Sequence, residues 1–161
     1  MKIKFITTGG TIDKVYFDAK SECEVGPPQV ADLLREANVG FDFAIESVLR
    51  KDSLDMTDAD RALIRERVSA DAADRIVVTH GTDTMIQTAR ALHGIPNKTI
   101  VLTGSMQPAR FRVTDAEFNI GTAVVAAQVL PAGVYIAMNG RIFDPIRSRK
   151  NAANHCFEDI P

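Results

Sequence analysis

The sequence predicts an α/β fold: an open, mostly parallel sheet with helices on both faces, in a three-layer Rossmann- or flavodoxin-like arrangement. Three observations predict it. Short Val- and Ile-rich runs alternate with helix-length segments along the chain. Those runs read as buried on both faces, as the strands of parallel sheets are. Helix-start signatures fall beside them at regular intervals.

Lys2–Thr8 is an apolar run ending in Gly-Gly, a first strand running into a turn. The polar, aperiodic stretch Asp13–Gly26 reads as a loop. Pro27-Pro28 then opens a helix through about Glu36, since proline is tolerated in the first turn. Phe41–Leu49 alternates well enough for a second strand. Thr57-x-x-Asp60, Thr84-x-x-Gln87 and Thr114-x-x-Glu117 carry the hydroxyl-x-x-acid or amide pattern of a capping box, so each is expected to start a helix. Three more strands are expected at Arg75–Thr79, Thr99–Thr103 and Gly133–Met138. Arg141–Phe143, after Asn139-Gly140, reads as a hairpin return.

Composition bounds the function classes. With 161 residues, 45% of them hydrophobic, the chain fits one domain with its own core. The formal net charge is −2 and no basic stripe is present, which argues against a nucleic-acid partner. Cys23 and Cys156 form no CxxC and are expected as free thiols. His80, His93 and His155 show no ligand spacing, so no metal is expected. No stretch approaches a membrane span, and the apolar run near Met1 is short for a signal peptide; the expectation is a cytoplasmic protein with no membrane partner.

In an open parallel sheet, ligands bind outside the carboxyl ends of the strands. The polar clusters fall there: Thr7-Thr8-Gly9-Gly10-Thr11, Thr79-His80-Gly81-Thr82-Asp83-Thr84 and Thr103-Gly104-Ser105-Met106-Gln107. Three hydroxyl- and glycine-bearing loops are therefore expected to meet at one edge. Glycines such as Gly10 and Gly81 let backbone N–H groups approach a ligand closely, and a helix following Asp83 would aim its N-terminus at the same spot. A phosphate site is one reading, but neither GxGxxG after the first strand nor GxxxxGK[ST] is present. The other is an amide hydrolase using Thr11 and Thr82. Hydroxyls need an adjacent base or a lowered pKa to act as nucleophiles. Asp83 adjoins Thr82, and Lys150 folding back to this edge would supply a base. Taken singly, these residues also read as helix caps and a solvated surface charge; the set favours chemistry.

TTGGTID (Thr7–Asp13) and THGTDTM (Thr79–Met85) resemble the two signature stretches of the bacterial-type L-asparaginase family. DSLDMT (Asp52–Thr57), LTGSMQP (Leu102–Pro108) with Asp115 and Asn119, and Asp144–Lys150 resemble further family segments in the family's order. The resemblance implies hydrolysis of the side-chain amide of L-asparagine with no metal or organic cofactor. It implies that Thr11 is the primary nucleophile and that Thr82, Asp83 and Lys150 form a second threonine group. Asp83 would also receive the substrate's α-ammonium, and Ser53 its α-carboxylate. Backbone N–H groups near Thr11 and Thr82 would stabilise the oxyanion. Ser105 stands beside the amide, where it holds the amide or a water, or simply satisfies its turn.

The chain also departs from the family. Aligned back from Val25-Gly26, the family's loop tyrosine is replaced by Cys23. Tyr16 is the candidate in its stead, its alternative being a loop residue packed on the sheet. Asp13 and Lys14 are unusual charges so near a nucleophile. Family members are about twice as long, with a smaller second domain that supplies an acidic residue across a subunit interface. Here the expectation is a more open site, one covered by another copy, or one in which Glu22 or Glu24 substitutes. A homodimer or higher homo-oligomer is expected. An amidase for glutamine or for a peptide- or tRNA-linked amide, and a non-catalytic amino-acid-binding module, are the competing readings.

Overall fold

The computed structural model describes residues 1–17 and 22–160. Its strands and helices, in chain order, are β1 (Lys2–Gly9), β2 (Lys14–Phe17), β3 (Glu22–Val25), α1 (Val30–Glu36), β4 (Asp42–Lys51), α2 (Asp58–Ala70), β5 (Arg75–Thr79), α3 (Met85–Leu92), β6 (Thr99–Thr103), α4 (Ala116–Val129), β7 (Gly133–Met138), β8 (Arg141–Phe143), β9 (Ser148–Asn151) and β10 (Cys156–Asp159). The main sheet has the order β4-β1-β5-β6-β7-β8. Five strands run parallel, and β8 returns antiparallel to β7. The expected α/β class is the one observed.

The central strands are apolar at nearly every position because helices cover both faces. Ile6, Ile76, Val78, Ile100 and Leu102 pack with Ile64 and Val68 of α2 and Met85, Ala89 and Leu92 of α3. Their sequence neighbours Phe5, Val77 and Val101 point to the other face, with Leu34 of α1 and Ile120, Ala123 and Ala127 of α4. The chain leaves β1 for β4 on one side, then crosses to β5 on the other. That reversal creates a switch point between the carboxyl ends of β1 and β5, where such sheets leave a crevice. Thr7, Thr79 and Thr103 lie level across β1, β5 and β6, so the loops that follow emerge side by side.

Several local expectations are corrected. The stretch expected as a loop contains the antiparallel pair β2–β3, with Tyr16 opposite Cys23. The helix expected from Pro27-Pro28 begins at Val30, because the N–H of Gln29 is held by the Asp13 carboxyl at 2.9 Å. Thr57 makes both bonds of its capping box with Asp60. Thr84 makes none; its hydroxyl donates to the Ser53 carbonyl at 2.7 Å. Thr114 does stand at the start of α4, its hydroxyl accepting from the Ala116 N–H at 3.1 Å, but it lies one residue before the cap. The N-cap is Asp115, and its carboxylate accepts from the Met106 and Gln107 N–H groups instead. At the strand ends, cross-ties between loops win over local caps.

The chain after β8 carries no strand signal of its own, yet it forms the β9–β10 hairpin. Lys150 pairs with Phe157 across it. Cross-strand partners share a face, and Phe157 is buried against Phe143, with ring centroids 6.1 Å apart. Burying Phe157 therefore turns Lys150 inward, while Arg149 and Glu158 pair at 2.7 Å on the outer face.

Candidate active site

The loops after β1 and β5 meet backbone to backbone. Gly10 has φ 89°, and a Cβ there would lie 2.5 Å from the Gly81 Cα. A Cβ on Gly81 would lie 2.6 Å from both Cβ and Oγ of Ser53. No side chain fits at either position, so three chain segments close on one point. Asp52 forms the Ser53 turn by accepting from the Leu54 N–H at 3.1 Å. It also binds the Lys14 ammonium at 2.8 Å, the main reason its carboxyl titrates below the usual range. The Ser53 hydroxyl is buried and has no hydrogen-bond partner among the described residues. An unpaired buried hydroxyl costs on the order of 1–3 kcal/mol, which a ligand atom placed there would recover.

Thr82 and Asp83 follow Gly81 and both receive Lys150. Its ammonium lies 2.8 Å from Thr82 Oγ1 and 2.6 Å from Asp83 Oδ1. The lysine side chain is 16% exposed and that of Asp83 is 45% exposed, so the group reaches from a covered ammonium to an open carboxylate. A lysine so placed can take the Thr82 proton when neutral and stabilise an alkoxide when charged.

Thr11 follows Gly10 as Thr82 follows Gly81, so the two hydroxyl-bearing residues flank one backbone contact. Thr11 is half-buried in a short 3-10 turn. Among the described residues none hydrogen-bonds its hydroxyl. The next turn residue but one, Asp13, is 2% exposed. Burial pushes its carboxyl up to about 7, against the pull of the Gln29 N–H and the Arg50 charge. Gln29 in turn accepts from Arg110 Nε at 2.6 Å, and the Ala109 N–H bonds to the Ile12 carbonyl at 3.1 Å, so the loop after β6 is tied to the Thr11 turn.

Gly10, Ser53, Gly81, Thr82, Asp83 and Lys150 are thus brought together. Tyr16 is exposed, and none of the described residues hydrogen-bonds its phenol. Ser105 is buried, with its hydroxyl donating to the Gln107 carbonyl, so it satisfies its own turn. Glu24 is half-buried on β3, and the Glu22 side chain lies outside the described residues. Among the described residues, no three His, Cys, Asp or Glu side chains are placed to hold a metal ion.

Sequence reasoning placed Asp13 and His80 beside the site but gave neither a role. His80 is fully buried; Nδ1 lies 2.7 Å from the Gly81 carbonyl and Nε2 2.8 Å from Thr88 Oγ1. Burial lowers its pKa to about 4, with the Gly81 bond opposing and the Arg61 charge adding to the shift. Its place between Thr79 and Gly81 is the available signal, one that metal-ligand spacing does not register.

The family model described as "Asparaginase, N-terminal" matches residues 2–159. A glutaminase-asparaginase of Acinetobacter glutaminasificans is 31% identical, covering 88% of this chain and 47% of the relative. A glutamyl-tRNA(Gln) amidotransferase component of Aeropyrum pernix is 34% identical, covering 89% of this chain and 36% of the relative. The solved thermostable L-asparaginase from Thermococcus kodakarensis is similar with a TM-score of 0.86 at 31% identity, covering 99% of this chain and 51% of that one. The chain spans about half the length, or less, of these relatives.

Proposed function

This chain belongs to the asparaginase family, and on that premise we propose that it hydrolyses the side-chain amide of L-asparagine to L-aspartate and ammonia through a threonine nucleophile. The observation that carries the reading is Lys150 lodged between Thr82 and Asp83, beside the Gly10–Gly81 contact, at the switch point of the sheet. Thr11 Oγ attacks the amide carbonyl, and backbone N–H groups of the two glycine loops bind the developing oxyanion. Collapse breaks the C–N bond and the nitrogen leaves as ammonia after taking a proton. A water activated by Thr82 and Lys150 then cleaves the Thr11 ester, releasing aspartate. Asp83 holds the substrate's α-ammonium and the unpaired Ser53 hydroxyl its α-carboxylate. Gly10 and Gly81 line this pocket, and Ser105 shapes its wall.

Tyr16 is proposed as the phenol that attends Thr11. It lies directly across the hairpin from Cys23, the position where the family resemblance places a tyrosine. Directly opposed residues have Cβ atoms about 4.5–5.5 Å apart, so a phenol on β2 reaches the space of one on β3. Tyr16 also shares its strand face with Lys14, whose ammonium sits on the loop carrying Ser53.

The protein is further proposed to act in the cytoplasm as a homodimer or higher homo-oligomer. The outer face of α4 leaves Phe118, Val125 and Val129 exposed, beside Ile142, along a groove of about 570 Å³; apolar surface of this kind favours association. Gel filtration showing a fully active monomer would refute self-association.

The deciding assay is ammonia release from L-asparagine by the chain and by Thr11→Val and Lys150→Met. Turnover by the chain, with a loss of about a hundredfold or more in each variant, is the expected result. Binding of asparagine without turnover would make the protein an amino-acid-binding module. A parallel arm with L-glutamine tests a second reading, suggested by a relative described as a glutaminase-asparaginase. One methylene separates the substrates, worth only ~1–3 kcal/mol of discrimination.

A further inference from the structure

We propose that His80 is a positioning residue for this site: its ring holds the Gly81–Thr82 peptide so that the Thr82 N–H points at the reacting carbonyl. The inference rests on the amidohydrolase reading given above.

The proton positions follow from the partners. The Gly81 carbonyl, 2.7 Å from Nδ1, can only accept, so Nδ1 carries the proton. A neutral ring then has a bare Nε2, which accepts from the Thr88 hydroxyl at 2.8 Å. Thr88 is fully buried on α3, and Met56 Sδ packs 3.1 Å from Nε2. Burial keeps the ring neutral through the ordinary working range of pH. The tautomer and orientation are therefore set from beneath by Thr88 of α3 and by Met56, two residues before α2.

The consequence passes through one peptide. Among the described residues no peptide bond is cis, and in a planar trans peptide C=O and N–H point in opposite directions. His80 draws the Gly81 carbonyl down toward the core. The Thr82 N–H must then face the other way, out of the core beyond the strand ends. Among the described residues none accepts a hydrogen bond from it. An N–H fixed in direction and left unpaired is what a developing oxyanion requires, because no reorganisation is then needed during reaction. If Gly81–Thr82 rotated, this donor would be lost while Thr82 Oγ1 could still meet Lys150.

Two variants separate this role from simple core filling. Asparagine carries its amide nitrogen where histidine has Nδ1; glutamine carries it where histidine has Nε2. His80→Asn keeps the donor to Gly81 and loses the contact with Thr88, whose hydroxyl has the Met56 sulfur 3.7 Å away. His80→Gln does the reverse. The expected result is near wild-type kcat for His80→Asn and a fall of about ten- to a hundredfold for His80→Gln, with KM for L-asparagine little changed in both. Equal losses that follow the fall in melting temperature would overturn the proposal. The ring and amide are also read directly by ¹⁵N NMR. His80 should show protonated Nδ1 and bare Nε2 from pH 5 to 8, and the Thr82 amide signal should move in His80→Gln but not in His80→Asn. A ring protonated at Nε2, or a Thr82 signal indifferent to both variants, sinks the inference even if the chain is an active amidohydrolase. If the chain turns over neither amide, the amidohydrolase reading fails alone and the NMR outcome still decides how the peptide is held.

Discussion

Thr11 and Thr82 each end a loop one residue past the same glycine contact, yet their surroundings differ in kind. Thr82 is 6% exposed and bonded to Lys150, which is fixed by a hairpin whose Phe157 is buried in the core. The peptide before it is pinned by a buried histidine. Thr11 is half-buried, and no described residue bonds its hydroxyl. Its attendant hairpin leaves Tyr16 on the surface. One half of the candidate site is fixed by packing, while the other is tied down only through the Asp13 clip on Gln29.

The sharpest way to break this comparison is Lys150→Met. Activity should fall by about a hundredfold or more, because the activating group is lost. Stability should change by less than about 1 kcal/mol, since Asp83 is 45% exposed and such pairs contribute little. A large drop in melting temperature alongside the lost activity would mean that Lys150 is a structural strut.

Tyr16→Phe tests the unformed half. Its ammonia-release rate should fall by about tenfold, and adding Cys23→Tyr to that variant should restore much of the loss across the hairpin. No rescue by the double variant would remove the cross-strand account of Tyr16.

Asp13 gives the Thr11 side a pH signature. Its folded pKa of about 7 lies above the unfolded value of 3.8. The stability it contributes is therefore full below 3.8 and is lost as pH rises through about 7. Melting curves of wild type and Asp13→Asn should diverge between pH 5 and 8, with the variant gaining ground as the pH rises. Parallel curves over that range would mean the carboxyl titrates normally.

Thr57→Ala should have the smallest effect: about 1 kcal/mol of stability from the lost cap, with kcat for asparagine unchanged. A change in kcat would tie α2 to the site more closely than its hydrogen bonds indicate.

The strands Arg75–Thr79, Thr99–Thr103 and Gly133–Met138 were legible to the residue because their burial on both faces writes itself as unbroken apolar runs. The site loops were legible too, since glycine and hydroxyl clusters must follow those strands. Thr84 does precede α3 as its pattern implies, but its hydroxyl serves the Ser53 loop 31 residues away and not the cap, which no local pattern reveals. The β2–β3 hairpin was missed because each strand has only four residues, too short a run for its pattern to stand out within the mixed stretch Asp13–Gly26.

By itself, then, the sequence determined the α/β class, the strand-end position of the hydroxyl and glycine loops and the residue types proposed for chemistry there, because burial and turn geometry act locally on side-chain type. Only the tertiary structure decided that Phe157 turns Lys150 inward onto Thr82, that Asp13 clips Gln29, and that His80 holds Gly81 from below. Those outcomes depend on which surfaces meet after the chain has folded, and no local pattern records them.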